Sequence, residues 1–134
     1  MDCIFCKIIA GEVPARKIYE DEHVFAFLDI ADDVDGHTLI VPKKHFVNIL
    51  DCDAETLANV MNAVKLISSH YVNNCGCEGV NILNASGAAA QQTVFHLHFH
   101  IIPRRGDDGL NTWPKLNACK FTKDEMWQKL KMTD

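Results

Sequence analysis

The clearest pattern along the chain is one long amphipathic helix near its middle. Apolar side chains recur there at spacings of three and four residues, which places them on one face of a helix over about residues 54–73. The members of this stripe are Leu57, Val60, Met61, Val64, Ile67 and Tyr71. Asp53 is suited to cap the amino end of the helix, and Gly76 is a stop signal beyond its carboxyl end.

Shorter apolar segments predict five β-strands. These segments cover residues 17–20, 23–28, 37–41, 80–83 and 95–102. Pro42 and Pro103 are expected to end the third and fifth strands, because proline cannot donate a ladder hydrogen bond. Short turns join the strands near the start and the end of the chain, which favours antiparallel pairing.

Two shorter helical segments are predicted near the ends of the chain. The first occupies about one to two turns before Gly11 and Pro14. The second begins at Thr122, which forms a capping-box pattern with Glu125, and runs through Leu130. With five strands and one long helix, these elements indicate an α+β fold. A chain of 134 residues, 48% of them hydrophobic, is enough for a single domain over residues 1–134 and too short for two.

Three histidines alternate with apolar residues in the fifth predicted strand. Because side chains alternate between the two faces of a strand, His96, His98 and His100 share one face. They would stand about 6–7 Å apart from one to the next, given ~3.3 Å of rise per residue. The residues on the opposite face, which can seal the core, are Leu97, Phe99 and Ile101.

Two kinds of chemistry fit this row of imidazoles. One is ligation of a metal ion, since neighbouring histidines on a strand can bind one ion. The other is nucleophilic or acid–base work near neutral pH, for which the unperturbed histidine pKa of ~6.5 is suited. The preceding segment, residues 84–93, favours phosphate chemistry, because its small residues let backbone N–H groups approach an anion. Gln92 and Thr93 add side-chain donors to that segment.

Charge and hydropathy argue against several kinds of partner. The formal net charge is −5 and no basic stripe is present, which argues against a duplex nucleic acid. No apolar run approaches ~18 residues, so no membrane span is predicted. The first six residues carry an early acid and no basic region, unlike a secretory signal. We therefore expect a cytoplasmic protein without a membrane partner.

The cysteines point to a metal rather than to disulfides. Six cysteines are many for this length, and without a secretory signal they are not interpreted as disulfides. Cys75 and Cys77 flank a glycine in a predicted loop, with no histidine close after them, which does not favour a metal site. Cys3 and Cys6 have the spacing that lets two thiolates share one tetrahedral ion.

The alternation of histidines and apolar residues over residues 96–102, which reads HLHFHII, is the signature of the histidine-triad (HIT) superfamily. The sequence resembles the Hint branch, and most closely its small bacterial-type members. Further similar blocks, in the family's order, are residues 3–14, 26–30 and 36–45. The resemblance thus implies a HIT-like fold with its core at residues 3–103, and it leaves residues 104–134 as a less similar C-terminal extension.

The resemblance implies a nucleotidyl transferase or hydrolase that acts on purine nucleoside phosphoramidates and related nucleotides. His98 matches the nucleophile, which takes the nucleotidyl group covalently before water releases the nucleoside monophosphate. Covalent catalysis divides one hard displacement at phosphorus into two easier ones. His37 matches a fourth histidine that supports and orients the nucleophile. His100 and Thr93 match groups that contact the α-phosphate, with Thr93 near the leaving group.

Other positions match the family's nucleotide pocket. Asp29 corresponds to the carboxylate that accepts hydrogen bonds from the ribose hydroxyls. Gln92 and Asn84 correspond to positions on the phosphate and ribose side. The residues that match the apolar walls around the base are Phe5, Ile8 and Phe27. Without the resemblance, these apolar side chains fit a protein core equally well.

The resemblance also implies a structural zinc ion. The matching Cys₂His₂ set is Cys3, Cys6, His45 and His96. Bacterial-type relatives with these positions carry a zinc, and a closed four-ligand site is structural, not catalytic. This ligand set assigns the first histidine of the triad to the metal and leaves His98 and His100 for phosphorus chemistry.

The resemblance also has implications for the assembly of the chain and for its reaction rate. Members of this branch are homodimers, and the same is implied for this chain. The helix stripe that contains Met61 is compatible with such an interface or with the core of one chain. Gln91 departs from the family pattern, since glycine usually precedes the Gln-(Ser/Thr) pair. We expect this departure to affect substrate preference and rate.

Two other functions remain open at this point. The three histidines of the triad could hold one catalytic metal ion, in which case a chelator would stop turnover and zinc would restore it without any change in folding. Alternatively, the protein could be a non-catalytic nucleotide-binding or adaptor protein, which would bind an adenosine phosphoramidate without turning it over.

Overall fold

The computed structural model describes residues 2–133, and these residues form five strands, three α-helices and one short 3₁₀ turn. The α-helices are α1 (Ile4–Ile9), α2 (Ala54–Asn74) and α3 (Lys123–Leu130). The strands are β1 (Lys17–Glu20), β2 (Val24–Leu28), β3 (Thr38–Pro42), β4 (Gly79–Leu83) and β5 (Phe99–Arg104). The 3₁₀ turn covers Ala88–Ala90. The predicted α+β fold is confirmed.

The five strands make one antiparallel sheet in the order β1-β2-β3-β5-β4. In β5, His100 is paired with Leu39 of β3 on one side and with Leu83 of β4 on the other. The last histidine of the triad therefore lies inside the sheet, where its backbone is held by both neighbours. The prediction of antiparallel pairing is confirmed.

Helix α2 covers one face of the sheet. Asp53 caps its amino end, because the carboxylate accepts the Thr56 backbone N–H at 2.7 Å. The helix residues buried against the sheet are Val60, Ala63, Val64, Ile67 and Tyr71. Full burial of one such aliphatic side chain is worth about 1.5–3 kcal/mol. Met61 is 37% exposed and lies outside this core, so only part of the predicted stripe faces the sheet.

The opposite face of the sheet carries a second apolar cluster beneath α1. In β2 and β3 successive side chains point to opposite faces, so Ala26 and Ile40 pack towards α2 while Phe27 and Leu39 pack towards α1. Phe5 of α1 closes this second cluster. The sheet is thus covered by helices on both faces, and the amino-terminal segment becomes part of the site described below.

The predicted fifth strand is wrong at both ends. It begins at Phe99 rather than at residue 95, because the Leu97 backbone N–H donates to the Phe46 carbonyl at 2.7 Å instead of joining the sheet. It also continues through Pro103. β3 pairs with β5 only as far as Ile101, so Pro103 has β4 as its only neighbour and its missing N–H breaks no ladder bond.

The third strand was also expected to end before Pro42, and that prediction is wrong as well. As at Pro103, the missing N–H would point to a side where the strand has no partner. Pro42 belongs to β3 and is paired with Val24 of β2. On its other side β3 is paired with β5 only from Thr38 to Ile40. A proline at this end of the strand therefore leaves every available ladder bond in place.

The chain after β5 is tied to the sheet at its start and is exposed beyond. The Arg104 guanidinium donates to both carboxylate oxygens of Asp108 and to Asn81 and Thr112. Helix α3 begins with the predicted capping box, but none of its residues is buried. Hydrogen bonds thus hold residues 104–112 together and tie them to Asn81 of β4.

Among residues 2–133, no helix is both long enough and apolar enough to cross a membrane. A cytoplasmic location stays a prediction from the sequence.

Candidate active site

The ring of His98 is fixed in one orientation and one tautomer. Its Nδ1 lies 2.7 Å from the backbone carbonyl oxygen of His96. Because a carbonyl can only accept, Nδ1 carries the hydrogen and Nε2 keeps its lone pair. The residue is 9% exposed, and this burial lowers the pKa of His98, which favours the neutral ring. A neutral imidazole with a free Nε2 lone pair is the form that a nitrogen nucleophile requires.

Asn84 holds the main chain that carries this ring. Its Nδ2 donates to the carbonyl oxygen of His98 at 2.9 Å, from just beyond the end of β4. Its Oδ1 accepts the Ser86 hydroxyl at 3.1 Å. The side chain was expected on the phosphate and ribose side, and the structure turns its donor group towards the backbone of the nucleophile instead.

A chain of hydrogen bonds runs from Asp33 through His37 to His100. The two carboxylate oxygens of Asp33 lie 3.0 and 3.1 Å from His37 Nδ1, so this nitrogen carries a hydrogen. His37 Nε2 lies 2.8 Å from His100 Nδ1. The hydrogen bond from His37 holds the pKa of Asp33 below its usual value. Burial, together with His98 and His37, lowers the pKa of His100 to about 4, so His100 is neutral near pH 7.

The role expected for His37 is altered by this arrangement. The sequence assigned it to the support of His98, whereas its ring nitrogen contacts His100. The rings of His98 and His100 are 5.0 Å apart between centroids, so any effect of His37 on His98 passes through His100. Asp33 was missed by the sequence analysis, although its position four residues before His37 in an acid-rich loop was the available signal.

Asp29 lies beside this chain, at the end of β2. Its Oδ2 is 3.7 Å from His37 Nε2, and its Oδ1 accepts the Ala31 backbone N–H at 2.9 Å. An open cavity of about 700 Å³ begins here. Its charged and imidazole-bearing lining residues are Arg16, Asp29, Asp32, Asp33, Asp35, His37, Arg105 and Asp108. The arrangement gives small molecules access to Asp29 and His37.

The three apolar residues expected around a base belong to one apolar cluster on the α1 side of the sheet. Phe5, Ile8 and Phe27 are all buried in the cluster beneath α1. Phe5 also contacts the histidines, with its ring centroid 5.1 Å from that of His98 in an edge-to-face arrangement. Helix α1 therefore supplies an apolar wall directly against the candidate nucleophile.

Gln92 fastens the segment that precedes the triad. Its Oε1 accepts the Gly87 backbone N–H at 2.9 Å and the Asn48 Nδ2 at 3.3 Å. Its Nε2 donates to the carbonyls of Val47 and Val94 at 2.6 and 3.1 Å. All four hydrogen-bonding sites of this amide are thus used within the protein. Gln92 therefore holds this segment in place, and its part on the phosphate and ribose side stays a prediction. Asn48 is a second residue that the sequence analysis missed.

The approach to the triad contains one strained residue. Gln91 adopts φ +72°, the left-handed region that side chains with a Cβ avoid at a cost of about 1–2 kcal/mol. Glycine, which has no Cβ, adopts this conformation without that cost. Thr93, which follows closely, is exposed and accessible to a ligand.

A tight group of four sulfur and nitrogen donors lies between α1 and the start of the triad. His96 Nδ1 is 3.4 Å from Cys3 Sγ, 3.5 Å from Cys6 Sγ and 3.1 Å from His45 Nδ1. Cys6 Sγ is also 3.4 Å from His45 Nδ1. A tetrahedral zinc ion with ordinary bond lengths has edges of roughly 3.5 Å between nitrogen and sulfur and about 3.3 Å between two nitrogens. The four predicted metal ligands thus come together at a spacing that fits zinc.

The other ring nitrogen of His96 supports the same conclusion. Nε2 lies 2.9 Å from the Pro42 carbonyl, so it carries the hydrogen and leaves the Nδ1 lone pair directed at the sulfurs. Among residues 2–133, the groups that could hold a metal are two: Cys3, Cys6, His45 and His96, and separately Asp29, His37 and His100. Neither combines the three histidines of the triad, so the structure does not support a catalytic ion held by all three.

Known proteins match this chain over most of its length. The HIT domain family model matches residues 10–107. The chain is 44% identical over 126 residues to Protein hit of Bacillus subtilis, which covers 93% of this chain and 87% of that protein. It is 40% identical over 116 residues to the adenosine 5'-monophosphoramidase hnt1 of Schizosaccharomyces pombe, which covers 85% of this chain and 84% of that protein.

Solved structures match the fold as well. A member of the HIT family from Bacillus subtilis has a TM-score of 0.83 and 42% sequence identity, and the match covers 96% of this chain and 92% of that chain. A zinc-bound histidine triad family protein from Mycobacterium smegmatis has a TM-score of 0.77 and 40% identity, with 87% and 85% covered.

Proposed function

This chain belongs to the HIT domain family, and we propose that it is a nucleotide-binding hydrolase that cleaves purine nucleoside phosphoramidates or related nucleotides through a covalent intermediate on His98. The observation that carries the proposal is the state of the His98 ring, which is neutral, buried and bonded at Nδ1 so that Nε2 keeps its lone pair. A relative at 40% identity bears the name of a phosphoramidase, which agrees with this chemistry.

The reaction proceeds in two displacements at phosphorus. His98 Nε2 donates its lone pair to the α-phosphorus, the bond from phosphorus to the leaving nitrogen breaks, and the leaving amine takes up a proton from solvent. Water then attacks the same phosphorus and returns a proton to solvent, the bond to Nε2 breaks, and nucleoside monophosphate leaves with His98 neutral again. The hydrogen stays on Nδ1, donated to the His96 carbonyl, throughout, so the ring keeps its orientation in both steps.

The chain from Asp33 to His100 sets which groups face the phosphate. His37 Nε2 is bonded to His100 Nδ1 at 2.8 Å, and Asp33 holds His37 from its other ring nitrogen. The two bonds fix the orientation of the His100 ring beside His98, where it contacts the α-phosphate and stabilises the charge that develops there. His37 and Asp33 are therefore positioning residues that act through His100.

The rest of the nucleotide is bound by groups around this centre. Asp29 accepts hydrogen bonds from the ribose hydroxyls, and Phe5 and the buried residues beside it, Ile8 and Phe27, form the apolar floor under the base. Thr93 donates its hydroxyl near the leaving group. The support for these assignments is the exposure of Thr93 and the position of Asp29 at the mouth of the cavity.

Zinc is proposed as the structural ion held by the first donor group. The ligands would be Cys3, Cys6, His45 and His96. The bound ion would neutralise the two thiolates and cross-link α1 to the residues before β5. Because four protein ligands close the site, its part in the reaction is limited to holding His96, whose carbonyl orients His98.

A homodimer is the assembly that we propose. Strand β4 lies at an edge of the sheet, so one side of its backbone has no partner strand in the described chain. Ile82, Leu83 and Met61 are each partly exposed, by 40%, 37% and 37%. Sedimentation equilibrium tests the assembly: a mass of twice that of the chain supports it, and a monomer at micromolar concentration contradicts it.

The function is tested by replacing the nucleophile. His98→Ala is expected to reduce hydrolysis of adenosine 5'-phosphoramidate by at least about 10³-fold, since a covalent nucleophile has no substitute, while the Kd for AMP changes little. The matched control is His23→Ala, because His23 is exposed in the turn between β1 and β2. Mass spectrometry of quenched reactions should detect adenylylated wild-type protein and none in His98→Ala.

Each result separates the alternatives. Hydrolysis that persists in His98→Ala removes His98 from its role. Wild-type protein that binds AMP but hydrolyses no phosphoramidate would identify a nucleotide-binding protein without catalysis. Activity that is lost to a chelator and recovered with zinc, with no change in circular dichroism, would indicate catalysis by a metal ion instead.

A further inference from the structure

A second group of metal-ligating atoms lies at the mouth of the cavity, apart from the four cysteine and histidine donors. It consists of Asp29, His37 and His100, each of which offers one ligand atom within 4.8 Å of those of the other two. The two ring nitrogens are 2.8 Å apart, and His37 Nε2 is 3.7 Å from the carboxylate oxygen. Two imidazoles and one carboxylate on the same side of an ion form a ligand set that binds divalent transition metals and leaves further coordination positions open.

The spacing of the ring nitrogens fits such an ion. Two nitrogen ligands at ~2.1 Å from a metal and at right angles to each other are roughly 3 Å apart, and a tetrahedral angle gives about 3.4 Å. The observed 2.8 Å between His37 and His100 needs an opening of only a few tenths of an ångström. The two rings can both present lone pairs when His100 carries its hydrogen on Nε2, so the ion replaces the hydrogen that they otherwise share.

A second, independent observation is the carboxylate behind His37. Asp33 accepts the Nδ1 hydrogen of His37, which leaves Nε2 as the coordinating atom. A carboxylate bonded to the far nitrogen of a histidine is the usual support for a metal-bound imidazole, because it fixes the tautomer and raises the basicity of the ring. His37 therefore already has the second partner that a metal ligand requires.

The charge and access around the group also suit a cation. The side chains of Asp29 and His37 are 21% and 10% exposed, so the ligand atoms can be reached from the cavity. The acidic residues that line the cavity are Asp29, Asp32, Asp33, Asp35 and Asp108. Arg16 and Arg105 are the cations that face them. The acids outnumber these two arginines, which favours the entry of a divalent ion.

We propose that Asp29, His37 and His100 form a second site for a divalent transition-metal ion such as zinc, and that the ion excludes nucleotide when it is bound. The exclusion rests on the proposed function. The ion occupies the carboxylate assigned to the ribose hydroxyls, and it interrupts the hydrogen bond between His37 and His100 that holds the His100 ring in place. The site therefore inhibits rather than assists.

Metal stoichiometry tests the site without any need for activity. Zinc-loaded full-length protein is titrated with Co²⁺ and followed by visible absorption and calorimetry. Wild type should bind a further equivalent, and Asp29→Asn and His37→Gln should each weaken that binding by at least about 10-fold. His98→Ala should retain it, because His98 Nδ1 is bonded to the backbone and the residue is not a ligand.

The rival ligands on this chain are controlled for in the same titration. Cys75 Sγ lies 3.6 Å from His70 Nε2, and Cys77 is close by in sequence. The variant Cys75→Ser/Cys77→Ser should still bind the further equivalent. The site is overturned if that variant loses it, if wild type binds no further equivalent, or if Asp29→Asn and His37→Gln bind it as tightly as wild type.

The exclusion of nucleotide is measured separately, as the Kd for AMP with and without the further equivalent of metal. We expect occupancy to raise this Kd at least about 10-fold in wild type and to leave it unchanged in His37→Gln. An unchanged wild-type Kd with the metal bound overturns the exclusion while leaving the site in place. Because neither readout is turnover, failure of the proposed hydrolysis is recognised independently.

Discussion

The backbone carbonyl of His96 accepts the Nδ1 hydrogen of His98 at 2.7 Å, while the side chain of His96 belongs to the group of four metal-ligating donors. A single residue thus connects the proposed zinc site to the proposed nucleophile. The two sites also share α1, since Phe5 packs edge-to-face on both rings. Anything that displaces the His96 ring should therefore disturb the direction of His98 Nε2.

Removal of a zinc ligand tests this connection. Cys3→Ser is expected to remove stoichiometric zinc and to lower the free energy of unfolding by at least about 2 kcal/mol, because metal bound only by the folded state stabilises that state. The rate of hydrolysis should fall more than AMP binding, since the loss is in the alignment of His98. Elemental analysis, urea unfolding and steady-state kinetics measure the three effects. Cys119→Ser is the matched control, because Cys119 is exposed.

The link between Asn84 and the nucleophile predicts a second effect. Asn84→Asp keeps the size of the side chain and the acceptor for Ser86 but removes the donor to the His98 carbonyl. A carbonyl that loses its partner, with a carboxylate now facing it, should cost about 1–3 kcal/mol of stability. We expect kcat to fall with little change in KM, because the contact positions the nucleophile and not the substrate. Asn111→Asp, at an exposed position, should change neither; equal kcat in Asn84→Asp and wild type would contradict the role.

Alternation of histidines and apolar residues was enough to predict the two sides of the triad, even though the regular strand starts only at Phe99. Leu97, Phe99 and Ile101 lie in the core beneath α2, and His98 faces α1. The period of two survives without ladder bonds because the extended backbone alone sets it. The apolar spacing in α2 predicted the buried face of the helix less accurately. Residues spaced by three and four cover a wider face than the one that contacts the sheet, and Met61 lies outside that contact.

Contacts between loops could not be predicted in this way. Asn48 reaches Gln92 across 44 positions in the chain, and Asp33 reaches His37 in a loop without a repeating pattern. Neither pair leaves a periodic signal. The contact of Asn48 with Gln92 depends on how two irregular segments pass each other, and the contact of Asp33 with His37 depends on the local path of one loop, for which the acid-rich sequence was the available signal. The hydrogen bonds by which Gln92 holds Gly87 and Val47 together also depend on tertiary structure, and no local sequence pattern encodes them.

The stability contributed by the contact of Asp108 with Arg104, just after β5, should depend on pH. Arg104 and the backbone N–H groups of Arg105 and Leu110 hold the pKa of Asp108 well below its usual range. A lowered folded-state pKa contributes stability above the unfolded value of ~3.9 and loses it as the pH falls below that value. Asp108→Asn should therefore lower the Tm at pH 7, and the difference from wild type should shrink below about pH 4. Asp107→Asn, which changes an exposed neighbour, is the control; a difference that stays constant with pH would show that the charge is not responsible.

Gln91 offers a test of strain in the loop that leads to the triad. At φ +72° a side chain with a Cβ costs about 1–2 kcal/mol, whereas glycine costs about 0.5–1 kcal/mol through the greater freedom of its unfolded chain. The first effect is the larger, so Gln91→Gly should raise the free energy of unfolding by about 0.5–1 kcal/mol. Gln91→Ala is the matched control, because alanine keeps the Cβ and should bring no such gain. Urea unfolding of the two variants separates backbone strain from any role of the Gln91 amide: equal stabilisation by glycine and alanine would contradict strain, and loss of stability in Gln91→Gly would mean that the amide itself holds the loop.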